Sequence, residues 1–529
     1  MSYKKSASSP LIIFLLLILS FYLGRRLAPS DSYIQLIESS SESKFTELLQ
    51  YLSYNYVDPL DIDSLQEELI FKTLESLDPH SSYIPVDEMQ GITENMQGNF
   101  EGIGVEFQIL NDTIVVVSPI SGGPSQKQGI QAGDKIIMAD SILIAGVGFT
   151  NKDVLKTLKG AKGTSVKLAI KRSNIRRLLE FDIVRDKIPI TSVDVFYMIK
   201  KDLGYIKVNR FSGTTDKEFI QAINGLKGQG MKKLILDLRS NPGGYLSAAI
   251  NMADEFFPSG KTIVYTQGNS RKKQVYTSSH FGGFIKEKLV VLIDEGSASA
   301  SEIIAGAIQD HDRGSIIGRR TFGKGLVQEQ IQLSDGSAFR LTTSRYFTPS
   351  GRSIQKPYTD DSKIYHKESQ ERYFNGELYH EDSIKVNDSL KFYTSQGKVV
   401  YGGGGIFPDY FIPLDTAGRS NWLYELIAKN ALNSFAFEYV DQNREDLGLY
   451  KSAKSFQNNF HIEAKIFSQF TEKSRNLDVI GSTLEIENSK VWIQTRLKAL
   501  IGRQLFSNEG FYRAVNEEDK MIKKALEIL

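Results

Sequence analysis

The sequence predicts a multidomain α/β protein. Three observations carry that reading. From about Ile188 apolar strand-like runs alternate with helical spacing, a β-rich module precedes them, and amphipathic helical stretches stand at both ends. A βαβα rhythm of this kind implies a layered α/β core. At 529 residues the chain is long enough for several domains with ample apolar interiors.

Taken in order, the chain opens with Lys4 and Lys5, the apolar run Leu11–Leu23 and then Arg25-Arg26. A positive start followed by an apolar segment of this length reads as an export signal. As a helix the run is only about 20 Å long, short of a hydrocarbon core of about 30 Å. Leu27-Ala28 makes a poor cleavage site. The expectation is therefore a signal anchor (or signal peptide) over residues 1–30, with the rest of the chain on the periplasmic face of the inner membrane. Soluble periplasmic protein, after cleavage, is the alternative. Residues 31–87 carry apolar residues at helical spacing, as in Phe45–Leu52 and Leu65–Phe71, and predict two or three amphipathic helices.

Residues 88–187 form the β-rich module. Gly98-Asn-Phe-Glu-Gly-Ile-Gly-Val-Glu-Phe107 opens it, and Ile114–Pro119, Gly129-Ile-Gln-Ala-Gly-Asp-Lys-Ile-Ile137 and Val166–Lys171 follow. This order resembles a PDZ domain of the bacterial protease type. In residues 188–355 the strand at Leu203–Val208, a helix near Asp216–Leu226, the Leu234 strand, a helix near Leu246–Phe256 and the Leu289–Ile293 strand alternate. Ser334-Asp-Gly-Ser337 joins two further strands, and the same unit resumes at residues 402–413 with a strand through Gly-Ile-Phe-Pro-Asp409. Between them residues 356–401 are polar and charged, which reads as an exposed insertion without chemistry. Residues 414–529 read as a helical region, with heptad-like patches such as Leu497–Leu505, that packs on the core or contributes a dimer contact.

Composition narrows the function. The 64 basic and 63 acidic side chains nearly cancel, which argues against a nucleic-acid partner. With no cysteine there is no disulfide framework and no thiolate metal site, and no His-Glu-x-x-His helix occurs; neither metal nor cofactor is expected.

The chemistry concentrates in three segments. Ser299 lies in Asp294-Glu-Gly-Ser-Ala-Ser-Ala-Ser-Glu302, after the apolar run Leu289–Ile293 and before the helical Glu302–Ile308, so it falls near a helix N-terminus with unpaired backbone N–H groups. Lys324 follows 25 residues later in Thr321-Phe-Gly-Lys-Gly-Leu-Val-Gln328. Leu234-Ile-Leu-Asp-Leu-Arg-Ser-Asn-Pro-Gly-Gly-Tyr245 is a buried-looking strand that opens into a turn where absent side chains let amides approach a ligand. Together, in this order, they resemble the carboxyl-terminal processing (tail-specific) peptidases, through most of residues 33–355 and again at Gly402–Asp409.

That resemblance implies a core of the crotonase-like fold group and a serine endopeptidase. Its nucleophile is Ser299, its base Lys324 and its supporting residue Gln328. The oxyanion hole is formed by Ala300 with Gly243 or Gly244. It also implies that the PDZ module recognises protein or peptide substrates by their free C-termini through Gly102, Ile103, Gly104, Val105 and Phe107, and that the N-terminal helices take part in homodimer contacts. Shorter relatives nearly abut Gln355 and the Gly402 segment; here residues 356–401 intervene.

Residue chemistry is consistent with such a dyad. A serine hydroxyl needs a base, and lysine serves only when neutral, so its pKa must fall by roughly 3 units. Phe322, Leu326 and Val327 flank Lys324 with apolar surface, and Gln328 can orient the amine without adding charge. For both side chains to meet at Ser299 the chain from Gly323 to Gln328 must turn. A serine–histidine–aspartate triad competes poorly: none of His80, His280, His311, His366, His380 and His461 sits in a Gly-rich loop after a strand, and His311 reads as a solvated helix end. Two other classes remain: a catalytically inactive PDZ-containing binding protein for exported polypeptides, and an acyl-CoA enzyme of the crotonase type. The second gives no reason for an export signal or a PDZ module.

Overall fold

The computed structural model describes residues 44–173, 175–279, 282–358 and 362–529; the expected signal segment and His280 lie outside them. Two compact units divide the chain, one ending at Ile70 and one running from Phe71 to Leu529. The first holds α1 (Lys44–Asn55) and most of α2 (Ile62–Glu75), where helical spacing predicts them.

The second unit begins with β1 (Ser82–Ile84), α3 (Val86–Gln97) and β2 (Asn99–Gly102). A β-rich module follows: β3 (Val105–Leu110), β4 (Thr113–Pro119), α4 (Pro124–Lys127), β5 (Lys135–Ala139), β6 (Ile142–Leu143), α5 (Asn151–Leu158), β7 (Ser165–Lys171) and β8 (Leu179–Val184). Its sheet has the order β3-β4-β5-β7-β8, with β6 on β5, so β3 is an edge strand. Alternation explains the strands: in β7, Val166, Leu168 and Ile170 are buried while Lys167 points outward. The chain leaves through β9 (Asp186–Pro189), which pairs antiparallel with β2 from Asn99↔Pro189 to Gly102↔Asp186. Entry and exit are thus tied together, and the module is an insertion on a two-stranded neck.

The core continues through β10 (Val193–Lys200), β11 (Leu203–Val208), α6 (Thr215–Gly228), β12 (Lys233–Asp237), α7 (Leu246–Asp254), β13 (Thr262–Gln267) and β14 (Gln274–Thr277). Then come β15 (Lys288–Ile293), α8 (Ala300–Asp310), β16 (Ser315–Gly318), β17 (Leu326–Gln332) and β18 (Ala338–Phe347). After them lie α9 (Ser362–Phe374), β19 (Lys391–Tyr393), β20 (Val399–Tyr401) and β21 (Tyr410–Phe411). The strand expected to run through Gly-Ile-Phe-Pro-Asp409 is therefore shorter and begins at Tyr410; the residues before it use their backbone for turns, with Gly403 and Gly405 at φ 77° and 94°.

The main sheet has the order β10-β11-β12-β15-β16-β21, parallel except for the β10–β11 hairpin. All six residues of β11 are buried, as a parallel strand covered on both faces requires. On one face pack α6, α7 and α8, through residues such as Phe219, Met252 and Ile304. Met521, Ile522 and Ala525 cover the other face. A second sheet, β1-β18-β13-β14 with β17 on β18, holds the hairpin joined at Ser334–Ser337.

Met521, Ile522 and Ala525 belong to the C-terminal region: α10 (Asn421–Ala428), α11 (Ala431–Gln442), α12 (Arg444–Leu447), α13 (Ala453–Asn459), α14 (Ala464–Asn476), α15 (Thr483–Val515) and α16 (Lys520–Ile528). It has its own core around Trp422, Phe435, Phe456, Phe470 and Ile493. It also reaches the β-rich module, where Phe437 packs on Val115 and Val117 of β4. Among the described residues no helix is long and apolar enough to cross a membrane.

Much of residues 356–401 is exposed, as their charge suggests, but part of the stretch turns inward. Tyr365, Arg372 and Glu377 are buried, because their charges and hydroxyl are paired inside the protein rather than solvated.

Candidate active site

Ser299 is the N-cap of α8, held at φ 54° and ψ −112°. A side-chain-bearing residue at that φ is strained, by roughly 1–3 kcal/mol, and persists only where its surroundings over-determine it. Glu302 does much of that. Its buried carboxylate accepts the N–H of Ser299 at 2.8 Å, of Gly323 at 2.8 Å and of Lys324 at 2.9 Å, together with the Thr321 hydroxyl. The Ser299 and Lys324 amides share one oxygen, Oε2, so their nitrogens lie within about 6 Å of each other by bond lengths alone. The Tyr346 hydroxyl adds a second tie, 2.6 Å from the Lys324 carbonyl oxygen and 3.1 Å from that of Ser299. Burial pushes the Glu302 carboxyl up to about 7, against the donors that favour its charge.

Gly323, at φ 88°, makes the turn that the sequence requires before Lys324. The Lys324 amine donates to Gln328 Oε1 at 2.9 Å. Gln328 Nε2 in turn donates to the His80 carbonyl oxygen. Burial lowers the Lys324 pKa to about 8, helped by Arg340 and opposed by Asp78 and Glu302. From 10.5 to about 8 is about 3 kcal/mol against the ammonium. In this conformation, among the described residues, the amine makes no hydrogen bond to Ser299 Oγ; such contacts are often long before substrate binds.

The Pro-Gly-Gly turn lies against this pair. A Cβ on Gly243 would stand 2.8 Å from Ser299 Cβ and 3.0 Å from the Ala300 nitrogen. On Gly244 it would meet the Phe211 carbonyl oxygen at 2.0 Å, at a backbone φ of 147°. Only glycine fits either place. The Gly243 N–H donates to Asn241 Oδ1 at 2.9 Å. The Ala300 and Gly244 N–H groups have no partner among the described residues.

Of the described histidines, His80 is the one brought to the site, which its turn-like sequence does not announce. Its ring Nε2 lies 2.8 Å from the Tyr365 hydroxyl. Burial, then the charge of Lys324, depress its pKa to about 3, so the ring is neutral at working pH. His311 caps α8 and is only partly exposed: its ring bonds the Thr262 carbonyl oxygen at 2.7 Å and packs edge-on against Phe257. Glu302 is the main residue that sequence reasoning missed. Ser299-x-x-Glu302 has the spacing of a capping box, and that signal was available to find it.

In the β-rich module, Gly102–Val105 forms the turn from β2 into the edge strand β3, with Gly104 at φ 76°. Ile120 donates to the Gly104 carbonyl oxygen, and Ser125 to that of Ile103. The amides of Ile103 and Gly104 have no partner among the described residues. The Ile103 side chain is buried in the module's core, with Val105 and Phe107 packed against it.

Comparison with known proteins agrees with this layout. Residues 202–364 match peptidase family S41, residues 102–183 match the PDZ domain, and residues 422–507 match a family of unknown function. The fold and matched families define a serine-type peptidase with a PDZ domain. The chain is 39% identical over 318 residues to a carboxy-terminal-processing protease of Bartonella bacilliformis, covering 59% of this chain and 72% of that one. It is 34% identical over 319 residues to a probable CtpA-like serine protease of Staphylococcus aureus, covering 60% of this chain and 63% of that one. A solved photosystem II D1 C-terminal processing protease is 30% identical over 59% of this chain and 84% of its own, with a TM-score of 0.34. The chain belongs to the carboxy-terminal-processing proteases of peptidase family S41.

Proposed function

We propose that the protein is an exported endopeptidase that cleaves protein substrates near their C-termini by a Ser299–Lys324 acyl-enzyme mechanism. The observation that carries the reading is the single Glu302 oxygen that holds the Ser299 and Lys324 amides together, beside an amine whose burial lowers its pKa to about 8. Neutral Lys324 takes the Ser299 hydroxyl proton as Oγ attacks the scissile carbonyl carbon. The oxyanion is received by the N–H groups of Ala300 and Gly244, rather than by that of Gly243, which Asn241 occupies. The lysine ammonium then protonates the leaving amine, leaving an acyl-serine, and neutral Lys324 deprotonates the water that releases it. Gln328 orients the amine between these steps.

The PDZ module gathers the substrate's C-terminal carboxylate at the Ile103 and Gly104 amides, and the substrate chain can add to edge strand β3. Lys4, Lys5 and the Leu11–Leu23 run support export with an N-terminal anchor to the periplasmic face of the membrane. The apolar stripes of α1 and α2 support a homodimer contact.

The test is peptide cleavage by purified Ser299→Ala and Lys324→Ala. Each should lose turnover while keeping the wild-type unfolding curve, since nucleophile and base act as one unit. Substantial cleavage by Ser299→Ala would remove the assignment, and a wild-type chain that binds but never cuts would favour the inactive binding protein.

A further inference from the structure

The stretch between Gln355 and Gly402 buries charge beside the site. Lys356, Arg372 and Glu377 are 3%, 2% and 5% exposed. Charges taken from water are tolerated only when paired, and these are. Glu368 accepts from Arg372 Nε at 2.7 Å, Lys356 Nζ at 2.8 Å and Arg320 Nη2 at 3.1 Å. Glu377 accepts from Arg320 Nε at 2.6 Å.

The network is aimed at the loop that carries Lys324. Arg372 Nη1 donates to the Thr321 carbonyl oxygen at 2.8 Å, and Nη2 to that of Phe322 at 3.2 Å. The Lys356 N–H donates to the Gly323 carbonyl oxygen at 2.9 Å. Glu302 holds the opposite, amide side of the same residues. The loop is therefore gripped from both edges, one edge by the core and the other by the inserted segment. A second line runs to the amine itself. The Tyr365 hydroxyl meets His80 Nε2 at 2.8 Å, the His80 carbonyl oxygen accepts from Gln328 Nε2, and Gln328 Oε1 accepts from Lys324 Nζ. Lys356 Nζ lies 4.1 Å from the ring centres of both Phe322 and Tyr365, closing the aromatic wall between the two lines.

We propose that residues 356–377, the first part of this stretch, are a positioning device for the catalytic base, in which Arg372 fixes the carbonyl edge of the Lys324 loop and Tyr365, through His80 and Gln328, sets the direction of the Lys324 amine. The inference rests on the serine–lysine reading. Neither Arg372 nor Tyr365 touches the reacting atoms, so both are positioning residues, and their loss acts on the base's geometry and hydration rather than on substrate binding.

The test uses the purified full chain and a quenched fluorescent peptide ending in a free alanine carboxylate. Tyr365→Phe deletes one hydroxyl and should lower kcat roughly 3- to 10-fold. Arg372→Lys keeps the charge but loses the forked grip, and should lower kcat roughly 10- to 100-fold, the scale of a small misplacement of a catalytic group. In both, KM should stay within about 2-fold, and the acid limb of the kcat profile should move up by about half a pH unit as the amine gains water. Wild-type kcat and midpoint in both variants, or a change in KM alone, would overturn the proposal. Should Arg372→Lys not fold, Tyr365→Phe decides by the same two readings. Cleavage persisting in Ser299→Ala or Lys324→Ala strikes the underlying reading instead. In that case the pH midpoint of Lys324 acetylation, followed by mass spectrometry, still reports on the amine: a shift in Tyr365→Phe supports the positioning role, and an unmoved midpoint overturns it.

Discussion

Replacing Gln328 with glutamate puts a carboxylate where the amide oxygen now lies 2.9 Å from Lys324 Nζ. At about 3 Å and an effective dielectric constant near 20, the attraction is roughly 5 kcal/mol. Part is offset by burying the new charge and by losing the donor to the His80 carbonyl oxygen. What remains should match the ordinary effect of an opposite charge at contact, about 1–3 pKa units. Lys324 then rises from about 8 to about 9–11. With Lys324 as the proposed base the ammonium is the inactive form, so raising its pKa moves the acid limb of kcat/KM to higher pH. At pH 7 the neutral fraction falls from about one in ten to between about one in 100 and one in 10,000, and it recovers in alkali. Gln328→Met is the contrasting variant. It removes an acceptor that favours the ammonium, so its limb should stay or move slightly down, while kcat falls from lost orientation. The assay is the pH dependence of kcat/KM for all three proteins, with unfolding curves alongside. Superimposable limbs for Gln328→Glu and wild type would refute the placement of Gln328 beside the base.

Other outcomes follow from the same geometry. Ser297→Ala and Ser301→Ala should still cleave, but each should lose roughly 1–3 kcal/mol in urea unfolding. The Ser297 hydroxyl donates to the Leu238 carbonyl oxygen at 2.8 Å, and that of Ser301 to Asn241 at 2.9 Å, both in the interior. Glu302→Ala should cost about 3 kcal/mol or more, since three amides lose their acceptor, and should abolish turnover in whatever protein folds; calorimetry and peptide cleavage check both parts. One peptide offered as free acid and as C-terminal amide should differ roughly 10- to 150-fold in affinity, the worth of a charge-assisted contact of about 1.5–3 kcal/mol. Equal affinities below saturation would leave the Ile103–Gly104 amides without the role proposed for them.

The sequence by itself determined the elements and the chemistry-bearing residues that are local. Period-2 alternation in Ser165–Lys171, the unbroken apolar run of Leu289–Ile293 and the small-residue loop after it can be read without a fold, because side-chain direction along a strand or helix follows from backbone geometry. So can a serine at a helix N-terminus and a lysine in a glycine-flanked turn. Tertiary structure alone decided which distant groups hold them. His80 lies 248 positions from Gln328, yet its carbonyl oxygen anchors that side chain. Arg372 follows Thr321 by 51 positions and grips its carbonyl oxygen. The stretch 356–401 is the sharpest case. A run of charged residues in a sequence looks solvated, because charge reveals nothing about whether a partner of opposite sign waits in the folded chain. Glu368 and Arg372 meet one helical turn apart, but only the packing of α9 against the Lys324 loop brings Glu368 to Lys356 and Arg320, and that pairing lets part of a polar insertion enter the interior.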